Sequence, residues 1–140
     1  MGLFRVIEDN NSQVAIWKVT ESEQELKGLT GIDLENIYTL PRRRIERMVT
    51  RAILDRLNHF EPVNYHPNGR PYYYEGAPYI SISHTAKLVV IGFCQKMNIG
   101  VDVERTNRDF RIVADRYLTI DELQWINLDH QKSFPMALFY

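Results

Sequence analysis

Residues 79–104, YISISHTAKLVVIGFCQKMNIGVDVE, decide the fold that this sequence predicts. Isoleucines alternate with serines over Tyr79–Ser83, which is typical of a strand with one buried face. The nearly continuous apolar run Leu88–Cys94 is typical of a strand that is buried on both faces. Asn98–Glu104 alternates again and predicts another strand. This part of the chain is therefore expected to form a β-sheet.

Two carboxylates, Asp102 and Glu104, lie in the last of these strands. They would project from the same face, because side chains alternate along a strand. Like charges so close repel each other unless a cation lies between them or one is protonated. Carboxylate oxygens suit Mg²⁺, which completes its shell with water and substrate phosphate. Taken alone, however, the pattern favours an edge strand whose polar face is solvated.

Upstream of residue 79, the sequence predicts two strands and two helices. The strands are Leu3–Ile7 and Val14–Val19. The first helix begins at Thr20, where Glu23 has the spacing of a capping box. The second helix spans Pro41–Leu57, because proline suits a first helical turn and apolar residues recur every three or four positions. Six arginines between residues 42 and 56 occupy the rest of its surface.

Length and composition are those of one globular domain, with 140 residues, 44% hydrophobic and 25% charged. We expect no membrane association, since no apolar run could span a bilayer and the N-terminus lacks a signal-peptide hydrophobic region. A net charge of −1 argues against non-specific nucleic-acid binding. The single cysteine, Cys94, provides neither a disulfide framework nor a zinc site, and a cytoplasmic location fits.

After the carboxylate strand, the sequence predicts a helix over Phe110–Leu118 and another whose first turn contains Glu122 at capping-box spacing. Ser133–Tyr140 begins a further apolar helix that has no closing signal. We therefore expect an α+β protein in two parts. Residues 1–97 form a largely complete N-terminal half, and residues 98–140 begin a C-terminal half that is cut short.

Five features between the arginine-rich helix and Glu122 form an ordered series. They are the helix itself, Asn68-Gly69-Arg70-Pro71, Ser83-His84 at a strand end, Gly100-Val101-Asp102-Val103-Glu104, and Tyr117-Leu118-Thr119-Ile120-Asp121-Glu122. In order and spacing, this series resembles the 4′-phosphopantetheinyl transferases of the surfactin-synthetase-activating type. The resemblance covers the chain from the arginine-rich helix onward, and the N-terminal elements only in outline.

The resemblance implies a phosphopantetheinyl transferase-like fold and an enzyme with coenzyme A as its substrate. Such an enzyme moves the 4′-phosphopantetheine arm to a serine of an apo acyl or peptidyl carrier protein and releases 3′,5′-ADP, with Mg²⁺ as cofactor. This chemistry asks the protein mainly for positioning and for neutralisation of phosphate charge. Which carrier protein is modified stays open.

The resemblance also implies roles for individual residues. Arg42, Arg70 and Ser83 are the implied coenzyme A contacts, together with His84, which contacts the pyrophosphate and belongs to the catalytic group. For two of them a structural role stays open: Ser83 would help the strand to turn, and His84 would be a surface-turn residue.

The carboxylates are the implied metal site. Asp102 would bind Mg²⁺ directly, and Glu104 would complete the protein side of the site directly or through a water. For Glu122 two roles stay open: a catalytic and metal-site carboxylate, or the glutamate of a helix cap.

One family feature, a Trp-x-x-Lys-Glu-x-x-x-Lys helix, has no counterpart in this sequence. In the family its glutamate is a metal ligand and a candidate general base. We therefore expect weakened coenzyme A binding, little or no transfer, and self-association through the apolar surface of the shortened half. Two other functions stay open: a non-catalytic module that binds coenzyme A or a carrier protein and, more distantly, a Mg²⁺-dependent phosphohydrolase.

Overall fold

The computed structural model describes residues 2, 4–76, 78–105, 118–122 and 124. The chain divides into two compact units, Met1–Val103 and Glu104–Tyr140. Within the described part of the first unit, the elements are, in chain order, β1 (Phe4–Glu8), β2 (Ser12–Lys18), α1 (Glu23–Thr30), α2 (Pro41–Arg56), β3 (Asn64–Tyr65), β4 (Pro71–Tyr72), β5 (Tyr79–His84) and β6 (Leu88–Cys94). The α+β class is thus as predicted.

The main sheet of the first unit is antiparallel, with the strand order β1-β2-β6-β5. The central strands β2 and β6 pair along their whole length, so that Trp17 lies opposite Val89. Strand β5 pairs with the other edge of β6 and places Ile82 opposite Ile91. Strands β3 and β4 form a separate two-stranded ribbon.

The hydrophobic core lies between one face of this sheet and the two helices. Trp17 and Ile91 are fully buried on the sheet side, and Leu26, Met48 and Ile53 are fully buried on the helix side. Burying a large apolar side chain contributes roughly 1.5–3 kcal/mol, so this layer holds α2 on the sheet. The core therefore fixes where α2 meets the end of β5.

Helix α2 agrees with its predicted span to within one residue, and Pro41 lies in its first turn. Helix α1 begins later than predicted. Its N-cap is Ser22, whose hydroxyl accepts a hydrogen bond from the amide of Glu25, while the carboxylate of Glu25 accepts one from the amide of Ser22. The predicted cap at Thr20 is therefore wrong, and the true capping box lies two residues downstream.

The predicted sheet strand over Asn98–Glu104 is also wrong. In the described structure, residues 98–105 pair with no strand. Instead, the amides of Val101 and Val103 each donate a hydrogen bond of 3.1 Å to the hydroxyl groups of Ser81 and Ser83 on β5. Val101 and Val103 are two residues apart, as are Ser81 and Ser83, and the two pairs run in the same direction. The segment is therefore extended and parallel to β5. Serine side chains thus take the place of a backbone ladder.

This segment, Ile99–Val103, is packed against the sheet face opposite the core. A Cβ on Gly92 of β6 would lie 2.5 Å from a methyl group of Val101 and 3.2 Å from one of Ile99, so only a glycine admits this approach. Among the described residues, no helix is long and apolar enough to cross a membrane. The helices predicted over residues 110–118 and 133–140 lie, apart from Leu118, outside the described residues.

Candidate functional site

The first turns of α2 and the end of β5 bring two predicted residues, Arg42 and His84, to one carboxylate. Nδ1 of His84 lies 2.9 Å from Oε1 of Glu46, and Nε of Arg42 lies 3.5 Å from the same oxygen. Arg43 approaches the other carboxylate oxygen at 3.9 Å. Glu46 itself is only 8% exposed. The site therefore centres on a buried anion that is surrounded by basic groups.

Glu46 is a residue that the sequence prediction missed. Its signal was the i, i+4 spacing from Arg42 on a predicted helix, which places an arginine and a glutamate on the same face. That spacing does not predict the contact with His84, because His84 lies on a strand that is distant in sequence. Only the packing of α2 on the sheet joins the three.

A cavity of about 370 Å³ adjoins this cluster. Arg42, Glu46, Glu21 and the turn residue Thr85 contribute to its lining. Burial alone would raise the pKa of Glu21, but hydrogen bonds from the Gly2 amide, the Trp17 indole and the Thr20 amide together hold it below the usual value. The cavity has the size of a small-ligand site and carries both signs of charge.

Ser83 and Asp102 form a second group on the opposite face of β5. The Ser83 hydroxyl donates a hydrogen bond of 3.0 Å to Oδ1 of Asp102 and accepts one from the amide of Val103. Consecutive strand residues project from opposite faces, so Ser83 and His84 diverge although they are neighbours in sequence. The structure therefore groups Arg42 with His84, and Ser83 with Asp102.

Arg70 lies in a third place. It follows a turn in which Gly69 has a φ of 88°, and its Nη2 donates a hydrogen bond of 2.6 Å to Oδ1 of Asn98. It lines an aromatic cavity of about 370 Å³, where the rings of His66 and Tyr72 stack with centroids 4.2 Å apart. This cavity shares no lining residue with the one beside Arg42.

Glu104 and Glu122 belong to the second unit. Oε1 of Glu104 accepts a hydrogen bond of 2.9 Å from the amide of Arg105. Glu122 exchanges hydrogen bonds with Thr119, whose amide donates to its carboxylate at 2.7 Å and whose hydroxyl accepts from its amide at 3.3 Å. The hydrogen bonds that the Thr119 amide and hydroxyl donate to the carboxylate lower the pKa of Glu122. Glu122 thus makes capping-box contacts, one of its two predicted roles.

The chemistry of the donor groups can be tested against Mg²⁺. Among the described residues, no group of three or more His, Cys, Asp or Glu side chains could hold a metal ion. Asp102 is exposed, and within the described part of the chain its Oδ2 has no hydrogen-bond partner. One oriented carboxylate fits a Mg²⁺ ion that keeps several waters and binds substrate phosphate.

Comparisons with known proteins place no further constraint on these groups. The chain matches no protein-family model, no curated protein and no solved structure. What the site can do therefore follows from its own residues: exposed basic groups beside a cavity, and a separate oriented carboxylate. Basic groups of this kind can bind phosphate, and an oriented carboxylate can bind a hard cation.

Proposed function

We propose that this chain binds coenzyme A in the cytoplasm and has the site of a Mg²⁺-dependent 4′-phosphopantetheinyl transferase for an apo carrier protein. Its transfer activity is impaired, because the family's Trp-x-x-Lys-Glu-x-x-x-Lys helix has no counterpart in this sequence. The observation that carries the proposal is the meeting of Arg42 and His84 at Glu46, beside a cavity. Motif order alone assigns both residues to one phosphorylated ligand, although they come from a helix and a strand that are distant in sequence. Their meeting supports that assignment.

Phosphate binding follows from the exposure of these groups. The Arg42 side chain is 65% exposed, so its guanidinium can turn from Glu46 towards a phosphate and bind it with two N–H groups. Nδ1 of His84 lies 2.9 Å from Oε1 of Glu46, an ion-pair contact when the ring is protonated. Its Nε2 lies on the far side of the ring and, when the ring is protonated, donates to a pyrophosphate oxygen.

Metal binding is assigned to Asp102, with Glu104 as the further ligand that the resemblance implies. The hydrogen bond from Ser83 fixes one oxygen of Asp102 and orients the other. When bound, Mg²⁺ would neutralise the pyrophosphate and polarise the phosphorus under attack. In the transfer, the carrier serine oxygen forms a bond to the pantetheine-side phosphorus, the bond to 3′,5′-ADP breaks, and the serine proton passes to a base.

Calorimetric titration with coenzyme A, with and without Mg²⁺, tests this proposal. Arg42→Gln and His84→Gln should each weaken binding about tenfold, the usual value of one charge-assisted hydrogen bond. Arg5→Gln is the matched control, because Arg5 is an exposed arginine on β1, at the sheet edge opposite β5. Equal affinity in all four proteins, or no binding of coenzyme A, would refute the proposal.

A second candidate function is a coenzyme A-binding module without turnover. It is favoured by Glu122, whose carboxylate is engaged by Thr119 in a helix cap. Incubation of the protein with coenzyme A, Mg²⁺ and an apo carrier protein separates the two functions. A slow mass gain of one phosphopantetheine group on the carrier supports the impaired transferase, and binding of coenzyme A without any gain supports the module.

A further inference from the structure

Another side of α2 carries a cavity that the proposed function does not use. It has a volume of about 280 Å³ and lies between α2, the loop that precedes it and residues 62–65. Leu34, Leu54 and Val63 contribute apolar walls, and Leu54 is only 2% exposed. An engineered cavity of about 150 Å³ accepts benzene, so this space can hold an aromatic ring and a short linker.

Two arginines, Arg47 and Arg51, lie in the wall of this cavity, and Arg51 is already paired with Asp55. The guanidinium of Arg47 is held differently. Its guanidinium carbon is 3.8 Å from the ring centroid of Tyr65 and 5.8 Å from that of Tyr38. Stacking of this kind uses the flat face of the guanidinium and leaves its N–H groups in the plane of the fork. Arg47 therefore keeps its hydrogen-bonding edge for another partner.

Arg47 differs from four other arginines of α2 in having no anionic partner among the residues that the structure describes. Ion pairs with carboxylates are formed by Arg42, Arg43, Arg44 and Arg51. Within the described residues, Arg47 forms neither an ion pair nor a hydrogen bond. A cation held against apolar and aromatic walls without a counter-ion attracts an anion, because the charge is only partly solvated.

The wall beside Arg47 is only partly shielded from water, since the Tyr65 side chain is 37% exposed. Burial raises the pKa of the Tyr65 phenol, and the nearby charge of Arg47 acts in the opposite direction without reversing the effect. Electrostatic attraction is stronger in such surroundings than in bulk water. Affinity for an anion would therefore be greatest for one that also brings an apolar body to cover the walls.

We propose that this cavity binds a small organic monocarboxylate, with its carboxylate on the guanidinium of Arg47 and a body of about one aromatic ring between Leu34 and Val63. The charge selects the anion and the apolar walls select its body. The cavity is thus a ligand site that is independent of coenzyme A binding.

Calorimetry or ligand-observed NMR with 4-phenylbutyrate and its neutral analogue 4-phenylbutyramide tests the site. The acid should bind at least about tenfold more tightly than the amide, because only the acid forms charge-assisted hydrogen bonds. Arg47→Gln should remove this preference. Arg43→Gln, at an exposed arginine of the same helix that does not line the cavity, should keep it.

A second variant separates loss of the site from loss of the fold. Val63→Phe fills the cavity and leaves Arg47 in place, so it should abolish binding of the acid while the circular dichroism spectrum stays that of the unaltered protein. Saturable binding of the acid that both Arg47→Gln and Val63→Phe reduce supports the proposal. Equal binding of acid and amide, binding that neither variant changes, or no saturable binding of the acid overturns it.

Discussion

Replacing Gly92 by alanine should lift the Ile99–Val103 segment from the sheet. The added Cβ would lie 2.5 Å from Cγ1 of Val101 and 3.2 Å from Cδ1 of Ile99. Carbon atoms in contact are normally about 3.5–4.0 Å apart, so Val101 must recede by about 1 Å. The 3.1 Å hydrogen bond from its amide to Ser81 cannot survive that movement.

The magnitude follows from these two effects. Overpacking of a well-filled site costs roughly 1–3 kcal/mol, and each lost hydrogen bond costs about 1 kcal/mol. Movement of the whole segment relieves part of the clash, and the smaller entropy of alanine in the unfolded chain offsets about 0.5 kcal/mol. We expect Gly92→Ala to lower the free energy of unfolding by about 2 kcal/mol, and Tm by about 10 °C in a unit of this size.

Urea and thermal unfolding, followed by circular dichroism and tryptophan fluorescence, measure this loss. Gly100→Ala is the matched control, because Gly100 lies in the same segment and a Cβ there meets no atom within 4 Å. It should change the free energy of unfolding by less than about 1 kcal/mol. If Gly92→Ala is as stable as the unaltered protein, or if Gly100→Ala loses as much, the packing argument is refuted.

Three further predictions concern side-chain hydrogen bonds and one histidine. Ser83→Ala should weaken Mg²⁺ binding in calorimetry because Asp102 loses its orienting bond, whereas Ser81→Ala, which removes only an amide contact, should leave it unchanged. Burial lowers the pKa of His59, so the unfolded chain takes up a proton first and stability should fall below about pH 6.5; His59→Phe should flatten this dependence in urea titrations at pH 5–7.5. Ser22→Ala should cost about 1 kcal/mol in thermal unfolding, and an unchanged Tm would contradict its role as N-cap.

Periodicity was sufficient to predict α2 but not the first residue of α1. Pro41 and regularly spaced apolar residues were enough to define α2, because the helix face that packs on the core must be apolar. Near α1, two overlapping pairs, Thr20–Glu23 and Ser22–Glu25, both have capping-box spacing. The structure uses the second pair, and Glu21 meanwhile receives hydrogen bonds from Trp17 and Thr20. Local sequence cannot rank two such pairs, since the choice depends on tertiary contacts.

For the candidate site, too, tertiary contacts could not be predicted from local sequence. The alternating pattern correctly predicts that Asp102 is more exposed than Val101 and Val103. It does not predict which groups accept hydrogen bonds from the backbone amides of that segment. Serine hydroxyls on β5 do so, and a hydroxyl partner leaves no periodic signal. Likewise, the motif Ser83-His84 suggests one shared ligand, whereas strand geometry sends the two side chains to opposite faces. Two adjacent residues of a motif therefore need not share a binding site, because the alternation of side chains along a strand can place them on opposite faces.

The hydroxyl-held segment also has a dynamic consequence. Because the amides of Val101 and Val103 bond to side chains, the segment can leave the sheet without opening any pair of strands. Local openings of this kind cost less free energy than global unfolding. Amide hydrogen exchange should therefore be faster at these two positions than along the central strand β6. Asp102 moves with the segment, so its hydrogen bond from Ser83 breaks whenever the segment leaves the sheet.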